Sequence, residues 1–228
     1  MKKILIVAAH PDDEILGCGA TVARYVKEGN NAYVLILGEG VTSRDENIDR
    51  GKRKNELEEL KISAHKANRI IGVKKIFMYD FPDNRFDTVA LLDIIKVIEK
   101  VKRQIKPDII YTHHRADLNI DHRIVYNAVL TSCRPLEKET VKKIYSFEVP
   151  SSTEWNYPNT FNPNTFVEIN KTISKKIEAL KCYEGELKKF PHPRSEEGVK
   201  ILAKYRGIES GHRYVEAFQL VRDLVKVK

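Results

Sequence analysis

Cysteine is scarce. The 228-residue chain carries three, Cys18, Cys133 and Cys182. They stand far apart with no CxxC pair, so neither a disulfide framework nor a thiolate zinc site is expected. No apolar run reaches 18 residues, so no helical membrane span is expected. The first apolar run, Ile4 to Ala9, is too short for the core of a secretion signal. It enters His-Pro-Asp-Asp-Glu directly and is read as a first β-strand, which places the protein in the cytoplasm. No GxGxxG follows that strand, which weighs against a dinucleotide site. Repeats and low-complexity segments are absent. So is any basic stripe interleaved with aromatics, although 40 Lys+Arg against 32 Asp+Glu give a net charge of +8. Nucleic acid is therefore not an expected partner; the charge reads first as a solvated lysine-rich surface, with a small anionic substrate as the functional alternative.

What is present is the profile of a globular protein, 42% hydrophobic and 32% charged. The length suits one domain spanning 1–228. Strands are expected over 4–9, 32–37, 75–78, 108–112, 143–149 and 214–221. Helices are expected over 14–27, 47–71, 88–104, 121–133, 170–186 and 195–205. The segment 150–163, rich in proline, asparagine and serine, reads as an irregular loop. Strands alternating with helices predict a mostly parallel sheet with helices on both faces, an α/β fold.

The chemistry concentrates where strands end. In a parallel sheet, ligands bind at the carboxyl ends of strands. There the first strand runs into His10-Pro11-Asp12-Asp13-Glu14. His10 and Asp13, three apart across a strand-to-helix turn, can face one ion. Imidazole and carboxylate are ordinary zinc ligands, and Asp12 between them can hold a water and take its proton. The run also reads as the cap and first turn of a helix, where acids suit the dipole, with Glu14 the best candidate for that job. After the fourth strand come His113-His114-Arg115-Ala116-Asp117-Leu118-Asn119-Ile120-Asp121-His122, with three of the chain's seven histidines. Asp121-His122 can supply a third ligand and leave a coordination position open.

The run Ala9-His10-Pro11-Asp12-Asp13-Glu14 resembles the signature of the LmbE-like (PIG-L) de-N-acetylases. That family includes deacetylases of the mycothiol and bacillithiol pathways and of glucosaminyl-phosphatidylinositol. Gly38-Glu39-Gly40, Arg53 with Glu56, Phe81-Pro82-Asp83, Arg206-Gly207, Gly211 and Tyr214-Val215-Glu216-Ala217-Phe218 extend the likeness to most of the chain. The resemblance implies a Rossmann-like sheet and a metal-dependent hydrolase that removes an N-acetyl group from an amino sugar, free or linked to a nucleotide or lipid. It implies His10, Asp13 and His122 as ligands of Zn2+, with Fe2+ or another divalent ion as alternatives, and Asp12 as general base. One position departs from the pattern. Asn119 stands where the family often has a histidine two residues before the Asp-His pair. Asn119 can donate a hydrogen bond to an oxyanion but cannot act as an acid near neutral pH. Either Asp12, once protonated, serves as the acid, or His113 or His114 reaches in. Asp121 either orients a histidine or caps a helix. Arg53, Arg85 and Arg194 are candidates to grip hydroxyl or phosphate groups. Trp155 and Tyr157 either stack on a sugar ring or pin their loop, and His192 and His212 read as loop residues. A metal-dependent deformylase or esterase, or a non-catalytic sugar- or nucleotide-binding domain, is the competing reading. A homo-oligomer is compatible with the sequence.

Overall fold

Seven strands form one sheet in the computed structural model, which describes residues 1–47, 49–158 and 161–225. They are β1 (Lys3–Ala8), β2 (Asn31–Gly38), β3 (Lys75–Phe81), β4 (Ile109–His113), β5 (Lys143–Phe147), β6 (Thr165–Glu168) and β7 (Val215–Asp223). Their order is β3-β2-β1-β4-β5-β7-β6. The first five run parallel, and β7 is antiparallel to both β5 and β6. Six helices are α1 (Asp13–Lys27), α2 (Lys54–Ile70), α3 (Leu91–Ile105), α4 (Ile120–Ser132), α5 (Ile173–Leu180) and α6 (Glu196–Ser210).

Side-chain alternation along β1 builds both layers. Ile4, Ile6 and Ala8 face the core shared with α1, α2 and α5. Leu5, Val7 and Ala9 face the core shared with α3 and α4. A central parallel strand covered on both faces reads as one continuous apolar run for this reason. The chain leaves β1 toward β2 and β3 and then returns to β4 on β1's other side. The order therefore reverses between β1 and β4, where the crevice of such sheets opens. Among the described residues, no helix is long and apolar enough to cross a membrane.

Several expected elements shift. The helix expected from residue 47 begins only at Lys54. Asp49 Oδ1 accepts from the Lys52 amide at 2.9 Å, a local turn that competes with helix. Residue 48 of that expectation lies outside the described residues. The apolar face of α3 is Ile94, Ile95, Ile98, Val101 and Ile105, while Leu92 is exposed. The helix expected over 170–186 is confined to α5. The loop 150–163 holds a short 3-10 turn, Thr153–Trp155, and its residues 159 and 160 lie outside the described residues. Edge strand β6 was not expected. It has four half-exposed or exposed residues and too little apolar alternation to be seen.

Helix α1 is broken at Cys18 (φ −149°, ψ 17°). The break is served by two distant side chains. Glu216 of β7 accepts from the amides of Ala20 at 3.2 Å and Thr21 at 2.7 Å. Lys176 of α5 donates to the Leu16 carbonyl at 2.7 Å and to Glu216 at 2.6 Å. Gly17 just before the break admits Phe147, since a Cβ there would lie 2.3 Å from the Phe147 ring. Lys176 and Glu216 are both buried. Removing one partner of a buried pair leaves an uncompensated charge, so Lys176→Ala is expected to destabilise the protein by about 3–5 kcal/mol. A guanidinium midpoint shift worth less than 1 kcal/mol, on the order of a surface pair, would contradict that.

Candidate metal centre

The reversal point of the sheet brings the two motif runs together. His10 follows β1, and Asp13 opens α1. Asn119 ends the loop after β4 and caps α4, its Oδ1 accepting from the amides of Asp121 at 2.8 Å and His122 at 3.4 Å. That cap aims the first turn of α4 at β1. His10, Asp13 and His122 are all buried, and one ligand atom from each lies within 4.8 Å of the others. Asp13 Oδ2 is 3.5 Å from His10 Nδ1 and 3.3 Å from His122 Nε2. Ligand atoms bonded at about 2.0–2.2 Å around a tetrahedral ion stand roughly 3.3–3.5 Å apart.

Each imidazole is flanked by a carboxylate on its other side. His10 Nε2 lies 2.9 Å from Asp121 Oδ2 and 3.2 Å from Asp83, and His122 Nδ1 lies 3.1 Å from Asp117 Oδ1. The last is a close contact with poor hydrogen-bond alignment. Asp121 is fixed by the Phe86 amide at 3.0 Å. Asp117 is fixed by Thr153 Oγ1 at 2.6 Å, by the Asn119 amide at 2.9 Å and by Ser152. A carboxylate accepting from one ring nitrogen assigns that nitrogen its proton and turns the other lone pair inward. Here both inward lone pairs meet Asp13, an arrangement that needs positive charge between the atoms.

The electrostatics say the same. Burial opposes a charged His122, yet Asp13 and Asp117 outweigh it and lift its pKa to about 9. His10 is raised against the same burial by Asp121, Asp13 and Asp83. Asp13, despite burial, is held well below the usual carboxylate range by His122, His113 and His10. The donor set therefore fits a divalent cation. A second group, His10 with Asp83 and Asp121, also has its atoms together. It would use the nitrogen whose proton Asp121 accepts, so the set with Asp13 and His122 is the better cage.

Asp12 occupies the cap position of α1, but its side chain makes no cap hydrogen bond. Its carboxylate accepts from Arg194 Nη1 at 2.9 Å. Burial pushes its pKa up against the pull of Arg194. Its backbone sits at φ 105°, ψ −31°. A non-glycine residue held in such a region stores about 1–3 kcal/mol, and such strain gathers at functional sites. The alternative reading of Asp12 as an ordinary helix cap is thereby removed.

The other expected residues are held by their neighbours. His113 is fully buried, and its Nε2 accepts from the Ala9 amide at 2.8 Å. Burial and neighbouring His122 lower its pKa to about 3. It ties β4 to β1, stacks on His122 and has Nε2 3.6 Å from Asp13 Oδ2. His114 is likewise buried, its ring edge-on to Phe161. Asn119 is spent on the helix cap, and its Nδ2 donates to Asn84 at 2.7 Å. Asp121 orients His10 and does not cap. Arg53, expected to grip substrate, is engaged by Asp45 at 2.7 and 2.9 Å and by Glu56 at 2.6 Å. Arg85 donates to the Glu46 carbonyl at 3.0 Å. Of the three arginines, only Arg194 touches the centre. Trp155 is partly exposed, its ring edge against His192, and Tyr157 is exposed. Sequence reasoning gave no role to Asp117 or Asp83. The only signal was an acid five residues ahead of His122 and one after Phe81-Pro82.

The family model described as PIG-L, GlcNAc-PI de-N-acetylase, matches residues 5–133, more than half of the chain. The chain belongs to the PIG-L family. The "uncharacterized deacetylase YaiS" of Escherichia coli K12 is 32% identical over 81% of this chain and 91% of its own. The diacetylchitobiose deacetylase of Thermococcus kodakarensis is 28% identical over 97% of this chain and 84% of its own. The crystal structure of GalB, a 4-carboxy-2-hydroxymuconate hydratase of Pseudomonas putida KT2440, superposes with a TM-score of 0.79 at 22% identity, covering 100% of this chain and 99% of that one. GalB thus shares the fold of this chain.

Proposed function

We propose that this PIG-L protein is a metal-dependent hydrolase that removes the acetyl group from the amine of an amino-sugar substrate. The observation that carries the reading is the convergence of His10, Asp13 and His122 beside an Asp12 carboxylate that no helix cap consumes. The diacetylchitobiose deacetylase, related along nearly the whole chain, supports acetylated sugars as the substrate class.

His10, Asp13 and His122 would hold the ion, and Zn2+ is the first choice for two imidazoles and one carboxylate. A bound divalent ion supplies Lewis acidity, acidifying water and polarising the acyl carbonyl. The chain's own residues do the rest. Asp121 and Asp117 keep the two imidazoles turned inward. Asp12 orients the attacking water and accepts its proton. Arg194 steers the Asp12 carboxylate through the 2.9 Å contact. Proton return to the departing nitrogen falls to Asp12, which lies beside the ligands; Asn119 is spent on the α4 cap and His113 Nε2 on the Ala9 amide. The products are acetate and a free amine.

The test is to purify the protein, measure its metal, and offer N-acetylglucosamine, N,N'-diacetylchitobiose and nucleotide- and lipid-linked N-acetyl sugars. About one divalent ion per chain and equal amounts of acetate and primary amine are expected. Formate release, ester hydrolysis or hydration of an unsaturated diacid without acetate release would overturn the reading. So would a metal-free protein as active as the loaded one.

A further inference from the structure

Glu14 is buried two positions beyond Asp12, and the mechanism above leaves it idle. Its carboxylate collects three donors from three parts of the chain. Oε2 accepts from the Asp12 amide at 3.0 Å. Oε1 accepts from Tyr183 Oη at 2.6 Å and from Asn68 Nδ2 at 2.8 Å. Asn68 lies on α2 and is braced by its own bond to the Ala64 carbonyl at 2.9 Å. Tyr183 lies just past α5 and is buried.

A glutamate reaching back to the amide at a helix start is like half of a capping box, here one position early, at the second helical residue and not the third. A cap alone would need neither burial nor Tyr183 and Asn68. The amide it grips belongs to the residue whose backbone is held at φ 105°. The other half of a box, a capping side chain, is missing because Asp12 points to Arg194 instead.

We propose that Glu14, clamped by Tyr183 and Asn68, is the positioning residue that holds the Asp12 backbone in its strained conformation and so aims the Asp12 carboxylate. The role rests on Asp12 being the proton carrier proposed above. Glu14 itself touches no substrate. The clamp joins α1, α2 and the segment after α5, so the aim of Asp12 is set by tertiary packing and not by its own loop.

The experiment compares Glu14→Ala, Glu14→Gln and Tyr183→Phe in the metal-loaded protein, with N,N'-diacetylchitobiose as probe. Misplacing a reacting group by about 1 Å can cost on the order of 10²-fold. Glu14→Ala is therefore expected to lower kcat about 100-fold and Tyr183→Phe about 10-fold, with KM and metal content unchanged. Glutamine keeps one acceptor oxygen, so Glu14→Gln is expected to fall between wild type and Glu14→Ala. In an Asp12→Ala background the same changes should cost nothing further, because Glu14 acts through Asp12. Crystal structures of the variants give a readout independent of turnover, with Asp12 expected to leave positive φ when Glu14 is alanine. The proposal is overturned if Asp12 keeps its backbone there, if the losses recur in full without Asp12, or if they appear as lost metal. Should Glu14→Ala fail to fold, unchanged kcat in both milder variants overturns it as well. If the wild type releases no acetate, the deacetylase reading fails by itself, and the crystal structures still decide the role of Glu14.

Discussion

Asp12→Ala is expected to lower turnover by about 10²–10⁴-fold, the usual worth of a positioned acid–base group, while metal content stays at the wild-type level. The upper end of that range is expected because the two nearest candidates among the described residues to share the work are already engaged. His113 is sealed between Ala9, His122 and Phe147, and Asn119 is tied to the start of α4. The three ligand atoms do not depend on the Asp12 side chain, whose hydrogen bond goes to Arg194. The measurement is kcat beside metal analysis on the same sample. Wild-type kcat in the variant would show that another group carries the proton.

Asp13→Ala is expected to lose the metal. Asp13 Oδ2 is the atom that both inward nitrogens face, and it also accepts from the His10 amide at 2.9 Å. Its removal deletes one ligand and frees the turn that presents another. Loss of a carboxylate behind a ligand costs about 10–100-fold in affinity, and loss of the ligand itself should exceed that range. Asp117→Asn, which weakens only the support behind His122, provides the milder comparison. Metal content after dialysis against a chelator reads both. A full equivalent retained by Asp13→Ala would place the ion elsewhere and leave His10, Asp83 and Asp121 as the set to examine.

What the sequence made legible was local. His10 to Asp13 lie within one strand-to-helix turn, and a buried parallel strand ending in histidine and acids can be recognised without neighbours. His122 was legible because three histidines crowd the end of another strand. What stayed hidden depends on contacts between distant residues. Nothing near Tyr183 or Asn68 says that both reach Glu14, 169 and 54 residues away. In sequence Arg194 and Arg53 are equivalent candidates, and only the fold distinguishes them by engaging Arg53 with Asp45 and Glu56. The break in α1 was invisible because Cys18 sits in an apolar pattern that continues through it. The late start of α2 reflects a side chain competing for a backbone amide, which helical periodicity does not register.

The repair of that break has a bearing on how the protein matures. The half of α1 beyond the break, at Ala20 and Thr21, is finished by Glu216, which lies in β7, near the other end of the sequence. Domains emerge from the ribosome amino-terminal end first. A nascent chain halted before Val215 would carry the whole His-Pro-Asp-Asp-Glu run yet lack the acid that completes the helix beneath it. Completion of α1 beyond Cys18 thus waits until β7 is made and has docked beside β5.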